Sequence, residues 1–202
     1  MVMTIGEKKS GDGAAAAVML ECFHAKYLAL CGGNEEAARS IAKEEMNWRG
    51  TAGNMFLAKE EGRTAGVVEL ITAGARTVPD SVFMDLYMKH LGLGAGLRGL
   101  YLLSFLGRAV GRDECAVAQL GVLPEFRRRG VGRALLARAG EFAQEKRKKR
   151  LSLWVDESNT PAVRLYESEG FVVAERKESV NTGRFFGIPV WLKMEKVVDS
   201  AD

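Results

Sequence analysis

Apolar stretches of this chain alternate with short polar breaks that contain glycine. Two of the stretches, Ala14–Leu30 and Glu35–Trp48, predict helices. The glycines of residues 31–34 end the first helix, and Asn34 is a favourable N-cap for the second. Residues 55–59 and 65–72 flank a short polar turn and predict a β-hairpin, with a bulge at Gly66.

From residue 81 to residue 110 the apolar positions recur at helical spacing, at Val82 and Leu86 and again at Leu100, Leu103 and Leu106. The glycine-rich residues 92–99 interrupt the pattern, which therefore predicts two inserted helices. Such an apolar pair closes a substrate pocket or pairs two subunits, so a homodimer is one of the expected assemblies.

The remainder of the chain alternates strands with helices. Residues 115–123 and 151–155 predict strands, and each is followed by a helix, at residues 131–147 and 161–169. Two more strands are expected at residues 171–178 and 190–196. The expected fold class is α/β (α+β), with a mixed central β-sheet flanked by helices.

The chain is expected to form a single domain over residues 14–202 after a flexible amino terminus, residues 1–13. Helices occupy residues 14–54 of this domain, and the helical insertion occupies residues 81–110. No internal repeat or low-complexity linker marks a second domain. With 202 residues, of which 47% are hydrophobic, the chain can bury a sizeable core.

Charge and cysteine usage exclude several classes of function. The formal charge of +3, from 29 basic and 26 acidic residues, is too balanced to favour a nucleic acid partner. Cys22, Cys31 and Cys115 lack the spacing of a zinc site or a disulfide framework, so no metal and a reducing cytoplasm are expected. The apolar residues 91–107 contain Arg98 and fall short of the roughly 20 residues that span a bilayer, so no membrane role is expected.

Residues 120–136 combine an apolar strand, a basic loop and an amphipathic helix. Gly130 and Gly132 let the backbone come close to a ligand, and the helix offers unpaired N–H groups and a positive dipole end. The cationic side chains around the loop are Arg127, Arg128, Arg129 and Arg133. This combination predicts a binding site for phosphate groups.

The spacing Arg127-x-x-Gly130-x-Gly132 resembles the pyrophosphate-binding signature of the GNAT superfamily of N-acetyltransferases. Residues 159–171 resemble the superfamily's next motif, Asn-x-x-Ala-x-x-Leu-Tyr-x-x-x-Gly-Phe, and the two motifs stand in the right order. The resemblance implies a GNAT-type fold and transfer of an acetyl group from acetyl-CoA to an amine by direct attack in a ternary complex.

The resemblance also implies roles for individual residues. The strand that carries Leu120 and Val122 would pair with the pantetheine arm, and the Val122 N–H would stabilise charge on the thioester oxygen. Tyr166 would protonate the departing thiolate. The residues expected to contact acetyl-CoA are Leu120, Val122, Arg127, Arg128, Arg129, Gly130, Val131, Gly132, Arg133, Asn159, Ala162, Leu165 and Tyr166. In the sequence, Thr160 before Pro161 is expected to cap the helix that carries Tyr166.

The group that removes the proton from the acceptor amine is less evident. The position at which some members of the superfamily carry a catalytic glutamate falls on Ala116, which cannot act as a base. Glu114, Glu69 and Asp113 are the nearest substitutes along the sequence, and a chain of water molecules is an equal alternative. Glu114 is taken as the candidate catalytic carboxylate beside Tyr166.

The acceptor is open between a small amine, a peptide amino terminus and a lysine side chain. The resemblance places Trp48, Phe185 and Phe186 near the acceptor, although core packing explains these aromatics equally well. One alternative function is a non-catalytic acyl-CoA-binding regulatory module, and another is nucleic acid contact through the basic residues 146–150. The pattern Gly94-x-Gly96-x-x-Gly99 follows no predicted strand and is not interpreted as a dinucleotide site.

Overall fold

The computed structural model describes residues 3–9, 13–49, 54–75, 78–107 and 109–198. Within these ranges a seven-stranded sheet is flanked by six helices, with a short 3-10 turn at Pro124–Phe126. The strands are β1 (Met3–Glu7), β2 (Met55–Glu60), β3 (Arg63–Thr72), β4 (Glu114–Val122), β5 (Arg150–Asp156), β6 (Val172–Glu178) and β7 (Val190–Val197). The helices are α1 (Ala14–Leu30), α2 (Glu35–Trp48), α3 (Asp80–Ser104), α4 (Val131–Glu145), α5 (Thr160–Ser168) and α6 (Val180–Phe186).

The sheet is mixed, as expected. Its strand order is β1-β2-β3-β4-β5-β7-β6, and the central pair β4 and β5 runs parallel whereas the other neighbours run antiparallel. The predicted hairpin of β2 and β3 is present, with a register shift where Ala58 pairs with Gly66 and Lys59 pairs with Thr64. The predicted bulge therefore lies beside Gly66, with Ala65 as the extra residue.

The two central strands separate towards their carboxyl ends. β4 and β5 are paired only from Glu114 to Val117 on the β4 side. Ala118 is then the extra residue of a bulge against β3, because Val117 pairs with Leu70 and Gln119 pairs with Glu69. Beyond the bulge β4 continues along β3 and β5 continues along β7, so an open slot lies between them in the middle of the sheet.

Helices cover both faces of the sheet. On one face α4 packs over a core that includes Phe56, Val68 and Val117. On the other face α1, α2 and α3 pack over a core that includes Leu57 and Val67. The slot is therefore bordered by α4 on one side of the sheet and by α1 on the other.

The helical insertion is one bent helix. α3 leaves helical geometry at Gly92, where φ is 73°, so the two expected helices are the two arms of α3 and the break is a single residue. Gly96 and Gly99 stay helical because the arms pack on each other there: a Cβ would lie 2.8 Å from Met88 at Gly96 and 2.6 Å from the Tyr87 ring at Gly99. These glycines serve close packing and do not interrupt the helix.

Two elements were not expected from the sequence. β1 pairs antiparallel with β2, from Met3 opposite Glu60 to Glu7 opposite Phe56. The expectation of a flexible terminus is therefore wrong for Met3–Glu7, while residues 1–2 and 10–12 lie outside the described residues. The connection between β6 and β7 contains α6, which begins after Ser179, whose hydroxyl accepts a hydrogen bond from the Thr182 N–H.

Among the described residues, no single helix is long and apolar enough to cross a bilayer. Within the described ranges, α1 and α2 reach that length and composition only when taken together, and a bend of 118° lies between them. Much of both helices is buried in the core of the domain.

Candidate active site

The loop between β4 and α4 presents an anion-binding backbone. Gly130 precedes the helix with φ 85°, and Arg128 also has a positive φ, 62°. The N–H groups of residues 130–133 donate to no carbonyl in the described parts of the chain, and the first bond of the helix runs from the Ala134 N–H to the Gly130 carbonyl. Four N–H groups at the positive end of the α4 dipole are thus available to an anion, as the sequence predicts.

The four arginines around this loop play different parts. The Arg127 Nε donates to the Val122 carbonyl at 3.1 Å, and Arg129 donates to the buried Glu60 at 3.0 Å while lying over the Phe126 ring. Arg133 donates to Glu169 at 2.5 Å. These three side chains tie the loop to its surroundings. Arg128 is exposed and has no partner among the described residues, so its guanidinium can bind a ligand phosphate without breaking a protein contact.

Gly132 joins the two sequence motifs in space. A Cβ at Gly132 would lie 2.9 Å from a terminal methyl group of Leu165, so α4 and α5 are in close contact here and a larger side chain would displace Leu165. The ion pair between Arg133 and Glu169 links the same two helices. The function of Gly132 is therefore helix packing, and the approach of a ligand to the backbone depends on Gly130, around which a Cβ would meet open space.

The helix that carries Tyr166 is capped by Asn159. The Asn159 side chain accepts a hydrogen bond from the Ala162 N–H, and Thr160 and Pro161 form the first helical residues. The expectation that Thr160 is the N-cap is therefore wrong by one residue. Asn159 therefore has a structural role as the N-cap, and its contact with acetyl-CoA stays a prediction.

Tyr166 of α5 packs into the core between α5 and the sheet. Its side chain is buried, with the ring 5.9 Å from that of Phe171, in the same core cluster as Val131 and Leu135 of α4. Burial raises the pKa of Tyr166 to about 12. Its hydroxyl makes no hydrogen bond to the described residues, so the phenol keeps its proton at neutral pH and does not donate that proton to another protein group.

The end of β4 forms one wall of the slot. Leu120 and Val122 face the α4 side and pack against its core, while Gly121 faces α1. A Cβ at Gly121 would lie 3.0 Å from the Cys22 sulfur. Burial raises the pKa of the Cys22 thiol, although Arg127 and the Val122 backbone act in the opposite direction. Cys22 of α1 thus sits beside the Val122 N–H, where sequence reasoning placed charge stabilisation.

The structure does not bring Glu114 to this site. Glu114 is the first residue of β4, eight positions before Val122, and it is buried. It accepts hydrogen bonds from Ser152 and from the Gly111 N–H and pairs with Lys193. Although burial opposes ionisation, these contacts hold the pKa of Glu114 below its usual range. Glu114 is a structural carboxylate at the opposite end of the strand, and the neighbouring Asp113 lies there too.

A chain of polar contacts crosses the α1 face of the sheet. Tyr27 donates to Glu45 at 2.8 Å, and Arg49 donates to both Glu45 and Glu69. The chain continues from Gln119, which donates to Glu69 at 3.2 Å, and from Lys26, which donates to Gln119 at 3.1 Å. Glu69, which sequence reasoning names as a substitute base, is fully buried, and Arg49 binds both of its oxygens at 2.6 Å.

The other residues singled out in the sequence have structural partners. Phe185 of α6 stacks on Phe105 with ring centroids 6.2 Å apart, and Trp48 lies at the end of α2 with about half of its side chain exposed. In the basic run, Lys146 lies over the Phe142 ring and Lys148 donates to the Arg112 carbonyl, at the end of α4 that is remote from the loop.

Within the described residues, no group of three or more His, Cys, Asp or Glu side chains could hold a metal ion. His24 pairs with Glu35 and His90 pairs with Glu44. Cys22, Cys31 and Cys115 are free thiols.

Sequence reasoning missed Cys22, Lys26 and Gln119. Cys22 and Lys26 lie one turn apart on α1 and face β4, at the positions of Gly121 and Gln119. The spacing of four residues on one helix is visible in the sequence, but the strand it would face is about 90 residues away along the chain, since 93 positions separate Lys26 from Gln119.

Comparison with known proteins places the chain among acetyltransferases. A family model described as the acetyltransferase (GNAT) family matches residues 23–171. An uncharacterized N-acetyltransferase of Methanocaldococcus jannaschii is 34% identical over 85 residues, which are 42% of this chain and 33% of that protein. A Bacillus subtilis protein named as a candidate [ribosomal protein bS18]-alanine N-acetyltransferase is 34% identical over 70 residues, 35% of this chain and 46% of that one. The chain thus matches less than half of the length of these curated relatives.

The fold is also found among solved structures. One crystal structure of an acetyltransferase superposes with a TM-score of 0.72 over 97% of this chain and 100% of that chain, at 23% sequence identity. The similarity confirms the expected GNAT-type fold.

Proposed function

The chain belongs to the acetyltransferase (GNAT) family, and from this premise we propose that it transfers an acetyl group from acetyl-CoA to an amine. The single observation that carries the proposal is the meeting of the two motifs: the unpaired N–H groups that open α4 and the phenol of Tyr166 lie on helices packed together at Gly132 and Leu165, beside an open slot in the sheet.

The site fits the chemistry of the donor. The N–H groups of residues 130–133 and the free guanidinium of Arg128 match a pyrophosphate, which needs several donors and positive potential. The edge of β4 beyond Ala118 lacks a β5 partner, so its backbone can pair with the amide groups of a pantetheine arm. Acetyl-CoA supplies the activated acetyl group when bound.

The residues of the slot divide the reaction between them. The backbone around Gly121 and Val122 holds the thioester end and offers N–H groups to the oxygen on which charge develops. Tyr166 holds a proton for the departing sulfur. Because this sulfur is desolvated in the same slot, its own affinity for a proton rises and the transfer from a phenol becomes easier.

The acceptor reaches the thioester from the α1 face. The α4 side of the slot is filled by the apolar core that contains Tyr166, whereas the polar side chains of Lys26 and Gln119 lie on the α1 side, which suits a charged acceptor better. The bacterial relative's name points to an α-amino group of alanine as a first acceptor to test, and the phenylalanines of α6 near α1 favour an apolar group beside the amine.

Release of free CoA thiol from acetyl-CoA tests the proposal. Three acceptors are compared: a peptide that begins with alanine, the same peptide with a blocked amino terminus and one lysine, and 2-phenylethylamine. We expect thiol release above the acceptor-free rate with at least one of them, together with a product one acetyl group heavier. Tight binding of acetyl-CoA with no release for any amine would contradict transfer and favour an acyl-CoA-binding module.

A further inference from the structure

Lys26 lies on the side of α1 that faces β4, and no described carboxylate holds it. Its Nζ donates to Gln119 Oε1 at 3.1 Å and lies over the rings of Phe23 and Tyr27, 4.8 Å and 5.0 Å from their centroids. No second hydrogen bond to Lys26 exists within the described ranges, so two of its three donor positions are unused. Lys26 as a whole is only partly buried.

The charged and titratable groups near Lys26 come from α1, α2, α3 and β3. Arg49 of α2 binds Glu45 and Glu69, and Tyr27 donates to Glu45. Although burial opposes ionisation, Arg49 and Lys26 hold the pKa of Glu45 below its usual range. Burial raises the pKa values of Tyr27 and of Tyr87 on α3, so both phenols stay protonated. Gln119 of β4 is neutral.

The environment of Lys26 disfavours the charged, ammonium form of its side chain. Burial lowers the pKa of Lys26 to about 8, and Arg49 adds to this lowering while Glu45 and Glu69 oppose it. A fraction of the side chain is therefore neutral near pH 7, and a neutral amine is a base.

The position of Lys26 suits the reaction. Gln119 stands three residues before Val122 on β4, which corresponds to about 10 Å at roughly 3.3 Å per residue. The gap leaves room for an acceptor amine, with or without one water molecule, between Lys26 and a thioester held at Val122. Cys22, one turn earlier on α1, already contacts the Gly121 and Val122 end of the strand.

From this geometry we propose that Lys26 is the base that removes a proton from the acceptor ammonium, directly or through one water molecule, with Gln119 as its positioning residue. The inference rests on the proposed acetyl transfer. The neutral Lys26 amine takes one proton from R–NH3+, and the nitrogen lone pair of R–NH2 forms the C–N bond. The C–S bond then breaks, and the sulfur receives a proton through Tyr166, while the second proton of the amine replaces the one that Tyr166 gave. Lys26 finally releases its proton to water.

Two substitutions separate a base from a fixed positive charge. K26M removes the amine and keeps an apolar side chain of similar length, whereas K26R keeps the charge but cannot lose its proton near neutral pH. We expect both variants to lose about 100-fold in kcat/KM for 2-phenylethylamine at pH 7, since general bases contribute 10²–10⁴-fold. K89M, which removes an exposed lysine paired with Glu44 on α2, is the matched control and keeps the native rate.

The pH profile gives a second readout. Alkylamines such as phenylethylamine stay protonated up to about pH 10, as lysine does. The native kcat/KM should therefore rise through the Lys26 pKa of about 8, and in K26M this rise should move to the pKa of the acceptor. For the alanine peptide, whose α-amino pKa is near 8, the loss should be smaller.

Direct titration needs no substrate. In protein labelled with 13C at the lysine Cε, the signal missing from K26R should titrate near pH 8, well below the other lysines. A K26M variant that keeps acetyl-CoA binding and the native rate, a K26R variant that restores activity, or a Lys26 signal that titrates with the other lysines would each overturn the inference. Absence of turnover in the native protein would instead contradict the proposed function itself.

Discussion

At the scale of single residues, the proposed chemistry depends on a phenol without a partner. Tyr166 is buried, its pKa is raised to about 12 by that burial, and its hydroxyl bonds to no described residue. The described side-chain oxygens that are buried without a partner are Asn54 Oδ1 and Glu60 Oε2, so the unbonded Tyr166 hydroxyl lies where solvent or a ligand can reach it. The placement of Tyr166 therefore favours a role towards the substrate over a role in the fold.

Replacing Tyr166 with Phe tests this role. Y166F should lower kcat by about 100-fold because the proton donor for the sulfur is lost. The thermal midpoint should not fall, since no protein hydrogen bond is removed, and the dissociation constant of acetyl-CoA from calorimetry should stay at its native value. Native kcat in Y166F would show that the sulfur leaves without this phenol.

The contacts of Glu114 indicate a role in stability and not in catalysis. E114Q should destabilise the protein by about 2 kcal/mol at pH 7, because charge-assisted hydrogen bonds from Ser152 and Gly111 and the pair with Lys193 are weakened. Because the folded-state pKa of Glu114 is lowered, its stabilisation is present above the unfolded pKa of about 4.3 and is lost as pH falls through the folded pKa.

Urea unfolding at pH 7 and at pH 3 measures this difference. The difference in free energy of unfolding between the native protein and E114Q should be smaller at pH 3 than at pH 7. The kcat of E114Q at pH 7 should equal the native value. An equal difference in free energy of unfolding at both pH values would contradict the link between Glu114 ionisation and stability. A large loss of kcat in E114Q would show that Glu114 is catalytic.

At the scale of elements, the site is made by the contact of α4 with α5. Gly132 lets Leu165 approach, and the Arg133–Glu169 pair reinforces the same contact. The anion-binding end of α4 and the helix of Tyr166 are thereby held as one unit. Disturbing this contact should therefore weaken both the binding of acetyl-CoA at α4 and the donation of a proton by Tyr166.

A valine at Gly132 tests the contact against a valine at Gly140 of the same helix. A Cβ at Gly140 meets nothing within 4 Å, so G140V changes helix propensity alone. G132V should cost about 1–3 kcal/mol more than G140V through overpacking. Its affinity for acetyl-CoA, measured by calorimetry, should also fall, whereas G140V should bind like the native protein. Equal effects of the two substitutions would mean that the helices do not meet at Gly132.

The elements also show what the sequence could predict. α1, α2 and α4 are long and bounded by glycine or by a capping residue, and their predicted bounds agree closely with the structure. α6 and β1 were missed because they are short, at seven and five residues, so little hydrophobic periodicity marks them. In α3 the glycines suggested a wide break, but only Gly92 breaks the helix, because Gly96 and Gly99 are there for packing against Met88 and Tyr87.

At the scale of the whole molecule, the slot arises because β4 and β5 separate at the bulge of Ala118. A local motif search could find the loop before α4 and the helix of Tyr166, since each is continuous in the sequence. It could not find Lys26, Gln119 or Cys22 as neighbours, because only the packing of α1 on β4 brings them together. The homodimer stays a prediction, which light scattering can test. The exposed Leu93, Leu97 and Tyr101 of α3 are the candidate contact residues.

The central claim is that the start of α4 binds the pyrophosphate of acetyl-CoA, and a calorimetric titration of acetyl-CoA into native protein, G130D and G130N tests it most directly. Both substitutions place a side chain of the same size in the left-handed conformation of Gly130, which Asp and Asn tolerate best, but only Asp adds a negative charge. We expect micromolar binding by the native protein, modest weakening in G130N and loss in G130D. Equal affinity of G130D and G130N, or no binding by the folded native protein, would contradict pyrophosphate binding at the start of α4.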